Sequence, residues 1–573
     1  MVELIGDSTG KSPVFSSKER FQYESWYEYD ESHTDTFQLG FYHHGDRDPG
    51  DWSVVSTDWI EGMVYGYILH PNSDASLEGI LEAVVEKPDE TLALLSGSFA
   101  LAVATDDELI IASDKIGSRP IYYTPHREGA FSTHPGALVP ALDDPSVNTR
   151  AISEMLQTGF SWGEKTLVCG INCLPVSSYL RWSDHTLETK RYWQFNATVS
   201  DANYVSDVYN TFTSATSDAV ETVPDEARVG TYLSGGLDSR LLSGVLAEYE
   251  SDLTSYTYDA NPGGGVNLEL ARQLADRIGI DNTSLEYDPQ STAKFMEEAI
   301  RRTSGLQSWH EFHGISGKLK QFSDELDVVF WGAGQGELFG EDIPHDICCG
   351  NPIKKLSSYW SSDISDQILT DAPDIRDTIA TEYRKSEHDT EYARSTDLIL
   401  RNYYSNGHAR GNIERTVAGF RCIHADTRVI EKSTPVPPAY RWGPVAEYGR
   451  IFSHSMSKLK LELVRRHASG IEQVSYERTG FPPKRSVYLH DMAEKYKKGI
   501  KKSSQSLQGK WYRESSILQD TVDPYLNDVM YREFINADAV SDLRTEHLSS
   551  TKDHIDPLAK LSTIEIWLQE YVD

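Results

Sequence analysis

Thr231-Tyr232-Leu233-Ser234-Gly235-Gly236-Leu237-Asp238-Ser239-Arg240 is the stretch of this 573-residue chain on which its fold turns. A short apolar strand, Val229 to Leu233, meets a helix-like stretch, Ser239 to Tyr249, across two glycines. Glycine permits the tight turn and lets backbone N–H groups come close to an anion. The start of the helix behind it adds the positive end of a dipole. The hydroxyls of Ser234 and Ser239 can donate to phosphate oxygens. Asp238 would repel a phosphate unless a cation stood between them, which predicts Mg²⁺ bridging Asp238 and the phosphates. A bare Ser-Gly-Gly would be an ordinary turn; the whole hexapeptide between strand and helix reads as a phosphate-binding loop.

Downstream, Leu253 to Tyr258 is the next strand, followed by a glycine-rich loop at Gly263–Gly265. Asn267 to Ile278 places Leu270, Leu274 and Ile278 on one helical face. Val328 to Trp331 is a further strand, ending in a glycine-rich turn. Strands alternating with helices imply a parallel α/β sheet with its ligand at the strand carboxyl ends. Upstream, residues 1–195 read mainly as β. The runs Phe37–Phe41, Met63–Ile68, Gly97–Val103 and Leu109–Ala112 are separated by turn-rich clusters, and Asp106-Asp107 marks a hairpin. Two domains are therefore expected, 1–195 and 205–573, as the length also suggests.

The formal net charge is −34, from 88 Asp+Glu against 54 Lys+Arg. Such a field disfavours nucleic acid and anionic membrane as partners. The carboxylates are spread along the chain, so the surface is expected to be a solvated, acidic one of the halophilic type. No run of about 18 apolar residues occurs to cross a membrane, and MVELIGDSTGKSPVF lacks the plan of a signal peptide. Five cysteines, Cys169 and Cys173 and the adjacent Cys348 and Cys349 among them, offer neither a disulfide framework nor a zinc pattern. Buried free thiols in a cytoplasmic protein are the expectation. The basic stretch Lys495–Lys502 reads as a solvated helix face, and the end of the chain, Ile564 to Tyr571, as an amphipathic packing helix.

The loop Ser234–Ser239 resembles the pyrophosphate-binding loop of ATP pyrophosphatases, and of the asparagine synthetase family in particular. Leu253–Tyr258 resembles that family's second strand, with Tyr258 beside the adenine. Gly332-Ala333-Gly334-Gln335-Gly336-Glu337-Leu338-Phe339-Gly340 is similar to its GEGxDELFGG segment. Gly97–Ala102, Asp114–Gly117 and Arg119–Tyr123 look like the end of a class II glutamine amidotransferase domain. Gly159, Lys165-Thr166-Leu167, Gly170-Ile171 and Leu174-Pro175 resemble the segment that joins the two. The resemblance implies an N-terminal nucleophile-type αββα sandwich joined to a parallel α/β ATP-pyrophosphatase domain. It implies a ligase that uses ATP and Mg²⁺, releases AMP and pyrophosphate, and joins a carboxylate, aspartate by default, to ammonia or an amine. The nucleotide site it implies comprises Leu233, Ser234, Gly235, Gly236, Leu237, Asp238, Ser239, Tyr258, Gly332 and Gly334. Asp238 is the catalytic candidate, and Asp238 with Glu337 the metal candidates. A second copy of the chain, in a homodimer, is the one macromolecular partner expected.

The chain also departs from that pattern. A glutaminase of this class uses an N-terminal cysteine, whereas Met1 is followed by Val2 and the first cysteine is Cys169. The oxyanion-binding Asn segment aligns with Tyr65-Gly66-Tyr67, so glutamine hydrolysis is not expected. In the synthetase part the first acidic position is Ala333 and the metal-binding Asp position is Gly336. Thr479 stands at the lysine position, with Arg478 and Lys484 close in sequence. Glu337 or Glu341 is left to complete a metal site, because leaving pyrophosphate is ordinarily steadied by cations. The alternative expectation is a nucleotide-binding regulatory or scaffold protein whose chemistry has decayed.

Overall fold

Strand Ser96–Ala104 explains the N-terminal half. Its phenylalanine, leucine and valine (Phe99, Leu101, Val103) point to one side and three alanines (Ala100, Ala102, Ala104) to the other, all buried. Successive strand residues face opposite ways, so a run apolar on both faces belongs in the middle of a layered stack. The alanines meet a second sheet through Leu39, Phe41 and Phe131. The bulky residues meet helices Leu77–Glu86 and Pro88–Leu94 through Leu81, Val84 and Leu92.

The computed structural model describes residues 3–7, 13–47, 50–125, 129–183, 186–196, 203–259, 266–285, 287–312, 318–332, 334–340, 352–360, 364–404, 406, 413–448, 456–500 and 506–573. The strands are, in chain order, β1 Glu3–Asp7, β2 Glu28–His33, β3 Gln38–His43, β4 Trp52–Ser56, β5 Glu61–Leu69, β6 Ser96–Ala104, β7 Glu108–Ser113, β8 Tyr122–Tyr123, β9 Ala130–Ser132, β10 Asn172–Cys173, β11 Ser178–Ser183 and β12 Thr186–Arg191. They form two antiparallel sheets, ordered β10-β8-β9-β1-β3-β2 and β12-β11-β7-β6-β5-β4. Helix Thr149–Thr158, capped by Asn148 and closed by Gly159 with φ +90°, leads toward the second half. The reading of this half as mainly β thus gains helices on its outer face.

The second half is built on β13 Val229–Tyr232, β14 Thr254–Tyr258, β15 Asp281–Leu285, β16 Val328–Trp331 and β17 Gly419–Cys422. They form one sheet in the order β15-β14-β13-β16-β17, every pair parallel. The chain leaves β13 to one side for β14 and returns on the other for β16. A crevice opens at such a reversal, above the strand carboxyl ends. The fold is therefore mixed α/β, antiparallel at the N-terminal end and parallel at the C-terminal end, as the sequence led us to expect.

Edge strand β17 also touches the first half. The Tyr67 hydroxyl donates to the Cys422 carbonyl at 3.1 Å, and Arg119 Nη2 to the Phe420 carbonyl at 3.2 Å. The buried Asp51 carboxylate sits between the guanidinium groups of Arg119 and Arg421. Helix Ile555–Tyr571 is buried on nearly every side, not along one stripe, so it is a core element rather than the amphipathic helix expected. Trp309 Nε1 donates to its Ser562 Oγ at 2.9 Å, and Lys560 Nζ reaches back to the Leu156 carbonyl at 3.3 Å. No helix among the described residues is long and apolar enough to cross a membrane. The cysteines differ from expectation as well: Cys422 is buried, Cys173 half-buried and Cys169 exposed, all three free. Cys348, Cys349 and the glycine loop at 263–265 lie outside the described residues, as do Met1, Val2, Ala333 and Glu341. So does part of the Lys495–Lys502 stretch; its described portion belongs to helix Val487–Ile500, on which Lys495 and Lys497 are exposed.

Candidate nucleotide site

The crevice above β13 is a cavity of about 600 Å³. Its floor is the expected loop: Leu233, Ser234, Gly236, Leu237, Asp238 and Ser239 line it, with Tyr258 and Gly332. Gly235 sits behind them, where a Cβ atom would come within 2.8 Å of Leu270 and 2.9 Å of Glu477, so no larger residue fits. Three loop amides are already engaged. Ser234 N–H donates to Ser239 Oγ at 3.0 Å, Gly235 N–H to Asn267 Oδ1 at 2.7 Å, and Gly236 N–H to Ser234 Oγ at 3.1 Å. These bonds hold the loop in shape before any ligand arrives. What faces the cavity is the start of helix Asp238–Leu246, whose N-cap residue Leu237 supplies no side-chain cap. The first-turn amides of a helix lack intrahelical acceptors and attract anions.

Long-range partners complete the site. Asn267, at the start of helix Asn267–Ile278, accepts from Gly235 and donates through Nδ2 to the Tyr258 carbonyl at 2.9 Å, linking loop to β14. Arg240 is fully buried, and its hydrogen-bond partners among the described residues are all carbonyls: Gly235 and Gly236 in the loop, and Ile471, Val474 and Ser475 opposite, at 2.7–3.0 Å. Burial draws this guanidinium down to about 10. It thereby clamps the 471–475 segment against the loop, and Glu477 N–H closes the seam on the Gly235 carbonyl at 3.0 Å. Lys460, on helix Lys458–Arg466, extends its ammonium to within 2.9 Å of Asp238 Oδ2. Gly340 makes room for it, since a Cβ there would meet Lys460 Cε at 2.9 Å. This nearly buried cation beside the loop is placed to attract an anion entering the cavity.

Some expected members fall elsewhere. Gly334 is buried with φ +97° and starts the short helix Gln335–Phe339. Neither it nor Glu337 lines the cavity. That segment instead steadies the loop, through Gln335 Nε2 donating to the Asp238 carbonyl at 3.0 Å. Thr479 is buried and bonds His490 Nδ1 at 2.7 Å, so the cationic side chain facing the cavity from its neighbourhood is Arg478, which also pairs with Glu494 at 2.8 Å. Among the described residues, no group of three or more His, Cys, Asp or Glu is gathered to hold a metal. Magnesium bound to phosphates needs only one or two protein carboxylates, and Asp238 meets that requirement.

The remaining walls are aromatic, from Tyr232, Tyr256, Tyr258, Phe312, Trp331 and Tyr476. Two carboxyls in them are displaced upward by burial. Glu477 is raised, with Asp259 adding repulsion, and Glu414 is lifted to about 7 while Tyr232 and Arg415 pull the other way. Nothing local in the sequence marks Lys460, Arg240 or Glu414 as members of this site. Asn267 is the added member with a positional signal, since it follows directly on the glycine-rich loop.

In the first half, Tyr65 is buried and the Arg119 guanidinium lies 4.0 Å from its ring centre.

A glutamine amidotransferase domain model matches residues 65–193, and an asparagine synthase model matches residues 211–393. The chain is 23% identical over 312 residues to glutamine-hydrolyzing asparagine synthetase 1 of Bacillus subtilis (strain 168), covering 50% of this chain and 48% of that protein. It is 30% identical over 195 residues to glutamine-hydrolyzing asparagine synthetase 3 of the same organism, covering 32% and 31%. Against glutamine-hydrolyzing asparagine synthetase B of Escherichia coli (strain K12) it is 24% identical over 300 residues, covering 48% and 49%. The chain spans about half the length, or less, of these curated relatives. Two models in tandem, on the antiparallel and parallel halves respectively, place the chain in the asparagine synthetase family.

Proposed function

We propose that the chain is an ATP-dependent ligase that activates a carboxylate as its adenylate, releases pyrophosphate, and passes the acyl group to ammonia or an amine. The observation that carries this reading is the preshaped Ser234–Ser239 loop, with an uncapped helix start and the Lys460 ammonium presented to one cavity. The aromatic walls at Tyr258 and Trp331 suit a purine, and the loop and Lys460 suit its phosphates. The substrate carboxylate would attack the α-phosphorus, and pyrophosphate would leave toward the loop and Lys460. Magnesium arriving with the nucleotide would be held by Asp238 and would screen phosphate charge. Aspartate is the carboxylate to try first, because the relatives are named for making asparagine, which is the amide of aspartate.

We further propose that the nitrogen does not come from a glutaminase in this chain, since Tyr65-Gly66-Tyr67 stands where the resemblance places the oxyanion-binding Asn segment. The test is incubation with ATP, Mg²⁺, ammonium chloride and individual carboxylates, following AMP, pyrophosphate exchange and glutamate release from glutamine. AMP and exchange with one carboxylate, and no glutamate, is the expected result. ATP bound without AMP from any carboxylate would favour the regulatory reading instead. Robust glutamate release would remove the claim about nitrogen.

A further inference from the structure

Glu414 belongs to the short turn Glu414–Thr416 that leads into β17, and it lines the cavity beside Tyr232, the last residue of β13. It is 7% exposed. One oxygen, Oε1, accepts from the Tyr232 hydroxyl at 2.9 Å. The other, Oε2, has no hydrogen-bond partner among the described residues. A buried carboxyl oxygen left unbonded costs stability that ordinary packing would have removed, and such exceptions gather where a ligand group completes the set. The next residue, Arg415, lies against the Phe420 ring, 4.4 Å from its centre, on the edge strand that joins the two halves. The other charged or titratable groups on the cavity include Tyr232, Glu311, Lys460, Glu477 and Arg478.

We propose that Glu414 is the proton acceptor for the nitrogen nucleophile in the amide-forming step, with Tyr232 fixing its orientation. This rests on the ligase reading above. In that step the amine lone pair forms a C–N bond to the acyl carbon while the C–O bond to AMP breaks. AMP leaves with the electron pair, and the surplus proton on nitrogen passes to Glu414 Oε2. Burial holds the carboxyl near neutrality, the range in which a base both exists and takes a proton well. Lys460 is held against the loop by Asp238 and Glu414 against Tyr232, so base and phosphate groups need not share one site.

The test compares the full-length protein with Glu414→Gln and Glu414→Asp, using ATP, Mg²⁺, the carboxylate found active in the wild type, and ammonium chloride. In Glu414→Gln, pyrophosphate exchange should stay within about threefold of wild type, while amide formation falls at least about 100-fold. The wild-type rise in amide rate around pH 7 should vanish in Glu414→Gln and persist, weakened, in Glu414→Asp. Hydroxylamine, whose adduct nitrogen gives up its surplus proton to water far more readily than that of ammonia, should restore most of the lost rate. Loss of exchange and amide formation together, or amide formation with an unchanged pH profile, would overturn the assignment. A wild type that makes no AMP with any carboxylate would remove the ligase reading, and this step with it; an active wild type beside an equally active Glu414→Gln removes this step alone.

Discussion

The Tyr65–Tyr67 segment and the Ser234–Ser239 loop make opposite uses of a strand's residues. In β5, Tyr65 is buried under Arg119, Tyr67 donates to Cys422, and charge is consumed internally by Asp51 between Arg119 and Arg421. After β13 the polar groups stand at the wall of a cavity, and internal bonds go to the amides that shape the loop. The first region is built as an interface and the second as a receptacle. The N-terminal half thus has a structural reason to persist whatever chemistry it performs: it covers the edge of the parallel sheet.

The sharpest way to break that contrast is Asp51→Ala. It would leave Arg119 and Arg421, both fully buried, facing each other without their shared carboxylate. Removing one member of a buried charged set costs about 3–5 kcal/mol. Urea unfolding should show the loss, and limited proteolysis should find the two halves separable. If stability changed by less than about 1 kcal/mol, the interface role of this cluster would be wrong.

Glu414→Gln tests the receptacle side through pH. Burial raises this carboxyl from 4.5 to about 7 in the folded state. Its ionisation therefore opposes folding: the protein is unpenalised below pH 4.5, loses stability as pH rises toward 7, and levels off above. The glutamine variant carries no such penalty. It should match wild type near pH 4.5 and exceed it by up to about 3 kcal/mol at pH 8, since each pH unit between the unfolded and folded values is worth about 1.4 kcal/mol. Denaturant midpoints measured from pH 4.5 to 8.5 decide the matter; parallel curves would show that Glu414 does not titrate in this range.

Lys460→Met should weaken ATP binding by about 10- to 100-fold, the scale of one charge-assisted contact to phosphate. Stability should move little, because the methionine can follow the same path along Gly340 and Asp238 keeps its half-exposed position. Isothermal titration with ATP and with adenosine separates the cases. A loss for ATP alone locates Lys460 at the phosphates, and an equal loss for both would mean that the pocket itself had been disturbed.

What is legible in the sequence depends on how far apart the cooperating residues lie. The apolar run Gly97–Val103 sits inside strand β6, which extends one residue further at each end, and helix Asn267–Ile278 begins and ends where its apolar period does. Such elements are set by neighbours within a few positions. The loop is legible for the same reason. Lys460 is not, because it lies 222 residues from Asp238 within Lys-Leu-Lys-Leu-Glu-Leu, which looks like any basic amphipathic helix. Glu414 in Asn-Ile-Glu-Arg-Thr carries no local mark either. Arg240 looks like one more residue of a helix start, and its five carbonyl partners are supplied by a turn more than 230 residues away as well as by the loop. The glycine segment at Gly332–Gly340 carries a different lesson. Its pattern suggests an acid at Glu337 for a metal, whereas its helix presents Gln335 to the loop and gives the Glu337 carbonyl to Arg441 at 3.1 Å.

That last difference yields the smallest expected effect and the finest test of the receptacle. Glu337 is half-buried but does not line the cavity, so Glu337→Gln should change ATP affinity and its Mg²⁺ dependence by less than about threefold, within the spread of surface substitutions. Asp238→Asn should shift the Mg²⁺ dependence strongly, since it alters the one loop carboxylate and its Lys460 partner together. Titrating Mg²⁺ at fixed ATP in both variants reads the two against each other. If Glu337→Gln moved the Mg²⁺ midpoint as far as Asp238→Asn, the Gln335–Phe339 helix would have to turn toward the nucleotide on binding, and the floor of the cavity would be a closing surface rather than a fixed one.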